Sequence, residues 1–298
     1  RAAHLCKADL ATFMVIEMTS LQGEMGREYA LRSGESPEVA EAIYEHYLPR
    51  VSGDDVPKTK PGLVLGITDR LDSLLGLFAA GLQPTATSDP FALRRTAIGL
   101  IHSLSTNKVP FDLQKGLEIV AKYLPLKVAP EIFQDCLAYI RARQQVLLLS
   151  EGKKYDVIEA ILEVQGHDPA SAVQAVDQLQ NKTLQEDWPP ILQAYARCVR
   201  IVRGQPEVKS VDPDLFVEEA EKRLYDAVIQ AEGTARPQNS VERFFTVFEP
   251  LIPEITVFFE EVLVMDEDPS LQNNRLGILN KIVHLADGVA DLSKLEGF

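Results

Sequence analysis

Positive charge is scarce in this sequence. Its 298 residues hold 30 Lys and Arg against 44 Asp and Glu, a net charge of −14. That balance argues against a general nucleic-acid binder, because phosphate binding needs concentrated positive charge. Any RNA contact must use local basic faces. Cysteine is rare too: Cys6, Cys136 and Cys198 lie far apart and form neither a CxxC pair nor a zinc pattern, which points to a reducing compartment. No apolar run approaches the ~20 residues that would span a bilayer. The start, RAAHLCKADLATFMV, has the form of neither a signal nor a transit peptide. It opens inside a helical pattern without an initiator Met, as a fragment of a longer chain would. No phosphate loop, GxGxxG, HExxH or GxSxG occurs, which counts against a complete catalytic site. Internal repeats and low-complexity tracts are absent as well.

What is present is helical. Hydrophobic residues make up 46% of the chain, enough for a real core in one large domain or two of ordinary size. SPEVAEAIYEHYLP offers Ser36 as N-cap, Pro37 at the first helical position and a stop at Pro49. HDPASAVQAVDQLQ repeats the device with Asp168 and Pro169, and VDPDLFVEEAEKRLYDAVIQAEG with Asp212 and Pro213, closing at Gly233. GLVLGITD is the best strand candidate, but it runs on into RLDSLLGLFAAGL, whose Leu71, Leu74, Leu75 and Phe78 fit a helix better. No period-two alternation surrounds an Asn-Gly or Asp-Gly turn. The pattern predicts an all-α chain of about ten to twelve helices. Pro250 and Pro253 should break or kink the helix expected from Ser240 to Met265. Residues 49–62 read as a polar insertion, and STNKVP at 105–110 as a domain joint.

Charge is uneven. Residues 1–150 carry 16 Lys and Arg against 17 Asp and Glu, whereas residues 151–298 carry 14 against 27. In DPFALRR, residues 89–95, Asp89 is a good N-cap and Pro90 suits the first helical position, with Phe91, Ile98, Leu100, Ile101 and Leu104 as an apolar set. Arg94 and Arg95 would tie the preceding turn to carboxylates or to an RNA backbone, the internal role being favoured.

Three candidate sites follow. Asp9, His46 and Asp69 sit on three predicted helices and could hold a divalent ion, or form ordinary polar bonds. In ILQAYARCVRIVRG, Ile191, Leu192, Tyr195, Val199 and Val202 fall on one side of a helix, with Gln193, Arg197 and Arg200 opposite and Arg203 near the border. Such arginines can bind phosphate or stack on a base, or form a solvated face. In LQNNRLGILNKIVHL, Arg275 projects into an apolar stripe and must meet a carboxylate or a partner surface. Asn274 and Lys281 flank that stripe, and exposure is expected of both. Trp188 in EDWPP plugs a loop onto the core, and EEVLVMDED is a solvated acidic helix end.

KADLATFMVIEMTSLQGEMGREYAL, VAEAIYEHYLPR, TDRLDSLLGLFAAGLQPTATSDPFALRR and FFEEVLVMDEDPSLQNNRLGILNKI together resemble the β subunit of bacterial-type glycyl-tRNA synthetase, in order and spacing over nearly the whole chain. The resemblance implies an HD-like helical domain over residues 1–108 and a helical anticodon-binding domain over 109–298. It implies tRNA(Gly) and the α subunit, or a fused α region, as partners, with no membrane. The aminoacylation centre would lie in the α part. No cofactor is then expected in this segment, and ATP and Mg belong to the whole enzyme. A working HD phosphohydrolase uses a leading His, a His-Asp doublet and a later Asp. Here CKAD, Cys6 to Asp9, stands at the doublet and Asp69 at the later Asp, while the doublet His is missing. The resemblance therefore implies a degenerate site, Asp9, His46 and Asp69 without metal, kept as scaffold. It also implies a tRNA face of Arg197, Arg200, Arg203, Asn274, Arg275 and Lys281, in which Cys198 replaces a usual basic residue and Arg200 compensates. The flavour of the sequence leans to a plant chloroplast or mitochondrion, with a bacterial cytoplasm as alternative. An active HD-type phosphohydrolase and an acidic helical interaction scaffold are the rival readings.

Overall fold

Capping side chains and the prolines after them set several helix starts. The computed structural model describes residues 1–51, 53–206, 210–234 and 239–298. Among these, all regular structure is helical and no strand occurs, so the chain is all-α. In order, the α-helices are α1 (Ala2–Leu5), α2 (Phe13–Glu17), α3 (Glu24–Arg32), α4 (Pro37–Glu45), α5 (Lys60–Ala79), α6 (Leu93–Thr106), α7 (Leu113–Ala121) and α8 (Pro130–Ser150). They continue as α9 (Tyr155–Gln165), α10 (Pro169–Thr183), α11 (Trp188–Val202), α12 (Glu219–Gly233), α13 (Val241–Phe248), α14 (Ile252–Glu261) and α15 (Pro269–His284). These fifteen among the described residues exceed the expected number, because several pieces are only a turn or so long.

At α4 the Ser36 hydroxyl accepts the Val39 N–H at 3.3 Å, with Pro37 in the first turn. Such a cap contributes about 1 kcal/mol. GLVLGITD lies wholly within α5, whose Leu63, Ile67, Leu71, Leu74 and Phe78 are buried at helical spacing. The segment expected to break at its prolines does so, as α13, a 3-10 turn at Glu249–Leu251 and α14.

Two starts differ from the sequence reading. α6 begins at Leu93, three residues after Pro90, preceded by Ala92 in the left-handed region at φ 55°. Asp89 still caps it from a distance, accepting the Leu93 and Arg94 N–H groups at 2.8 and 3.0 Å. Phe91 falls outside the helix and is exposed rather than part of the apolar set. Asp212 and Pro213 open only a 3-10 turn, Pro213–Leu215. α12 starts later, where the Glu221 carboxylate reaches back to the Val217 and Glu218 N–H groups, both at 2.7 Å.

The described residues form two compact units, one of residues 1–147 with 167–171, the other of 148–166 with 172–298. The first has a core of Leu74, Leu75, Leu100, Ile101, Leu104, Leu117 and Ile140, and a small satellite of Ala30, Ala40 and Ile43. The second is built around Phe244, Phe248, Phe258, Ile278, Leu279 and Ile282. Each fully buried side chain of this size contributes roughly 1.5–3 kcal/mol. Trp188 packs edge-on against Phe245 with ring centroids 5.7 Å apart, as a core plug. No helix among the described residues is long and apolar enough to cross a membrane.

Candidate nucleic-acid interface

The apolar face of α11 buries Ile191, Leu192 and Tyr195 in the core of the second unit. This leaves Arg197, Arg200 and Arg203 exposed on or beside the opposite face. The Arg197 guanidinium sits over the Phe259 ring, 4.1 Å from its centroid, and its Nη2 donates to the Phe259 carbonyl at 3.4 Å. Arg200 sits 5.8 Å from the centroid of Phe298. A guanidinium held over an aromatic ring has one planar face left for a base, and its free N–H groups can take a phosphate. Cys198 is fully buried, and burial pushes its thiol up to about 12. Its position faces the core, so it is not a place that Arg200 fills on the exposed side. Arg203 lines a cavity of about 280 Å³ with Asp287 and Asp291.

The residues of α15 are placed differently. Asn274 is buried rather than exposed: its Oδ1 accepts the Asp212 N–H at 2.7 Å and its Nδ2 donates to the Asp212 carbonyl at 2.9 Å. It thereby holds the strand of chain entering the Pro213 turn. Arg275 is buried too. Its Nε donates to Glu221 at 2.7 Å, and its Nη1 to Asp266 at 2.7 Å and to the Leu263 carbonyl at 2.9 Å. Lys281, half-buried, pairs with Glu232 at 3.0 Å. The structure thus leaves Arg197 and Arg200 exposed on α11 and Arg203 exposed just past its end, while the α15 residues make bonds inside their own unit.

Asp9, His46 and Asp69 belong to the first unit. Asp9 is buried and accepts the Gly23 N–H at 2.7 Å and the Tyr47 hydroxyl at 3.0 Å. Asp69 binds the Lys7 ammonium at 2.9 Å, and that ammonium lies 4.5 Å from the Tyr47 ring centroid. His46 is wholly buried, with Nδ1 2.6 Å from the Ile43 carbonyl and Nε2 without a partner. Among the described residues no three His, Cys, Asp or Glu side chains are grouped as a metal would need. A cation is already supplied by Lys7, and the donor set does not fit a divalent ion.

Burial, and next the nearby Lys7 charge, lower the His46 pKa to about 4. An unfolded chain protonates this imidazole near 6.5. Between those values the unfolded state binds the extra proton, so stability rises with pH and is lost as pH falls from 6.5 toward 4. We expect about 2 kcal/mol of stability to disappear between pH 7 and pH 5. Urea unfolding at the two pH values should show it, and His46→Gln should flatten the difference. An equal drop in that variant would exclude His46 as the source.

Several contributors escaped the sequence reading. Glu45, buried, accepts the Lys58 N–H at 2.8 Å and the Thr59 N–H at 3.0 Å, anchoring the start of α5. Arg70 grips the backbone carbonyls that follow α4. Neither has a local signal, because the partners lie thirteen or more residues away in sequence.

A family model described as glycyl-tRNA synthetase beta subunit matches residues 1–163. The chain is 39% identical to the chloroplastic/mitochondrial glycine–tRNA ligase 2 of Arabidopsis thaliana, over 100% of this chain and 28% of that protein. It is 37% identical to the glycine–tRNA ligase beta subunit of Syntrophotalea carbinolica and 35% to that of Lactococcus lactis, over 99% of this chain in both and 44% and 43% of the relatives. The chain belongs to the glycyl-tRNA synthetase beta subunit family. It spans less than half the length of these curated relatives.

Proposed function

We propose that this chain is the tRNA-recognition portion of a glycine–tRNA ligase and binds the anticodon region of tRNA(Gly). Catalysis falls to an α subunit or fused α region, which uses ATP, glycine and Mg. The observation that carries this reading is the pair Arg197 and Arg200, exposed on α11 with Arg203 exposed just past its end, and Arg197 held over Phe259. In a chain of net charge −14, such a face gives local attraction for a splayed RNA loop while the remaining surface repels other contacts. On this reading residues 1–108 form an HD-like helical part that holds no metal, and residues 109–298 the anticodon-binding part. Membership of the family, together with a plant relative named chloroplastic/mitochondrial, supports an organellar location in a plant; the bacterial relatives support a cytoplasmic one.

Anisotropy titration of labelled tRNA(Gly) with the full chain tests this, beside a tRNA whose anticodon C bases are replaced. Arg197→Glu and Arg200→Glu should each weaken binding of the native tRNA by about tenfold, the scale of a lost and reversed phosphate or stacking contact. The preference over the altered tRNA should fall with it. Equal affinity for both tRNAs in the unaltered protein would remove the anticodon reading.

A further inference from the structure

Just past α14, residues 262–265 leave the helix and their side chains alternate between core and water. Val262 and Val264 are buried, whereas Leu263 is 69% exposed and Met265 is exposed too. Residues 215–217, between the Pro213 turn and α12, show the same alternation. Phe216 packs on Tyr225 with ring centroids 5.4 Å apart, and Leu215 and Val217 are exposed, Val217 by 63%. The stretch expected from sequence to be a solvated acidic helix end therefore carries large apolar side chains into water.

One buried network ties these two stretches together. Arg275 Nη1 donates to the Leu263 carbonyl at 2.9 Å and its Nε to Glu221 at 2.7 Å, and the other oxygen of Glu221 accepts the Val217 N–H at 2.7 Å. Leu263 and Val217 are thus one guanidinium and one carboxylate apart. Gln272 of α15 donates to the Met265 sulfur at 3.5 Å. Single exposed apolar residues are ordinary, but several displayed together mark an interaction surface. A backbone already fixed in place lowers the ordering cost of binding.

The surrounding charge decides what covers this surface. Glu218 and Glu219 follow Val217, Glu260 and Glu261 precede Val262, and Glu267 and Asp268 follow Met265. All six are exposed, and among the described residues none is in an ion pair. Residues 215–222 and 260–268 hold one cation between them, Lys222. The next, Arg223, is taken by Glu254 at 2.8 Å. Arg197 reaches the Phe259 carbonyl one turn before Leu263, and there the arginine face begins. An acidic rim repels RNA and anionic membranes, and a second copy of this chain would bring the same carboxylates against their like. What it fits is an apolar anchor flanked by Lys or Arg.

We propose that Leu263, Met265, Val217 and Leu215 form a docking surface for a basic amphipathic segment of another protein, whose apolar side chains cover these four residues and whose Lys or Arg side chains meet Glu260, Glu261 and Glu267. None of the α11 arginines takes part, so this surface stands or falls separately from the anticodon reading.

The full chain is titrated by anisotropy with a labelled peptide of leucine and lysine that places its leucines on one helical face. A scrambled peptide of the same composition, a peptide with glutamate for lysine and an unstructured RNA octamer serve as comparisons. The series is repeated with Leu263→Ser, with Glu267→Lys and with Val64→Ser, which removes an equally exposed apolar side chain from the first unit. All three positions are exposed, so the urea midpoints should match the parent. The basic amphipathic peptide should bind the parent at least about tenfold more tightly than the scrambled or acidic one, and Leu263→Ser, which leaves the charge unchanged, should weaken it by about tenfold or more. Glu267→Lys should weaken it several-fold, less so at high salt. Val64→Ser should bind as the parent does. No binding of the amphipathic peptide, equal binding of the scrambled one, or affinities within twofold for the parent and Leu263→Ser would overturn the proposal. So would RNA binding that Leu263→Ser abolishes.

Discussion

Arg275→Met should lower the stability of the chain by about 3–5 kcal/mol, the usual loss when one member of a buried ion pair is removed. Glu221 is fully buried, and its second oxygen is pinned by the Val217 and Glu218 N–H groups at the start of α12. The carboxylate therefore cannot swing out to water when the guanidinium disappears. The Leu263 carbonyl and Asp266 lose the same donor. At ~2–4 °C per kcal/mol for a body of this size, the melting temperature should fall by about 6–20 °C. A companion variant separates the charge from the packing. Glu221→Gln keeps an oxygen for the two N–H groups but removes the buried charge, so adding it to Arg275→Met should restore part of the loss. A double-mutant cycle should then give a coupling of at least about 2 kcal/mol. A loss under 1 kcal/mol in Arg275→Met alone would mean that the side chain is not a structural tie. If the prediction holds, any fall in RNA binding by this variant must first be corrected for the unfolded fraction.

This pair also marks where sequence reasoning stops. An arginine within the apolar stripe of α15 announces that a partner exists, because an unpaired buried guanidinium is too costly. The partner's identity is a matter of three-dimensional approach across 54 residues and leaves no local trace. Asn274 shows the same limit. Its place beside the stripe suggests exposure, yet the Asp212 backbone loops over it and takes both ends of its amide. Features carried by neighbours in sequence were legible: the Ser36 cap, the proline break between α13 and α14, the buried Trp188, and the exposed arginines of α11. Asp89 lies between the two cases. Its capping role follows from residue type, but the helix it caps starts three residues late, because Ala92 takes a left-handed turn that no rule for alanine predicts. In the Asp9, His46 and Asp69 set, the residues themselves could be picked from sequence. That Lys7 supplies the positive charge at Asp69 depends on packing.

Arg70→Met should be comparably damaging, by about 3–5 kcal/mol, through a different cause. α4 ends at Glu45, and the carbonyls of its end and of the following turn need donors. Arg70 supplies them. Its Nη1 donates to the His46 and Gly66 carbonyls, both at 3.0 Å, and its Nη2 to those of Leu48 at 2.6 Å and Tyr47 at 3.2 Å. Methionine fills comparable volume and bonds none of them, so several carbonyls would be left buried and unpaired. Arg70→Lys should recover only part of the loss, since an ammonium at one point cannot reach both sides of the fork. The space for the guanidinium is itself written into the sequence by glycine. A Cβ on Gly99 would stand 3.0 Å from Arg70 Nε, and one on Gly66 3.0 Å from Nη1. Gly99→Ala should therefore cost about 1–3 kcal/mol in the parent, as overpacking does. In the Arg70→Met background the same substitution meets a flexible, unbonded side chain and should cost clearly less. Urea unfolding of the four proteins measures this directly. Strict additivity would show that Gly99 and Arg70 do not share the space, and that the turn after α4 is held by something other than this one guanidinium.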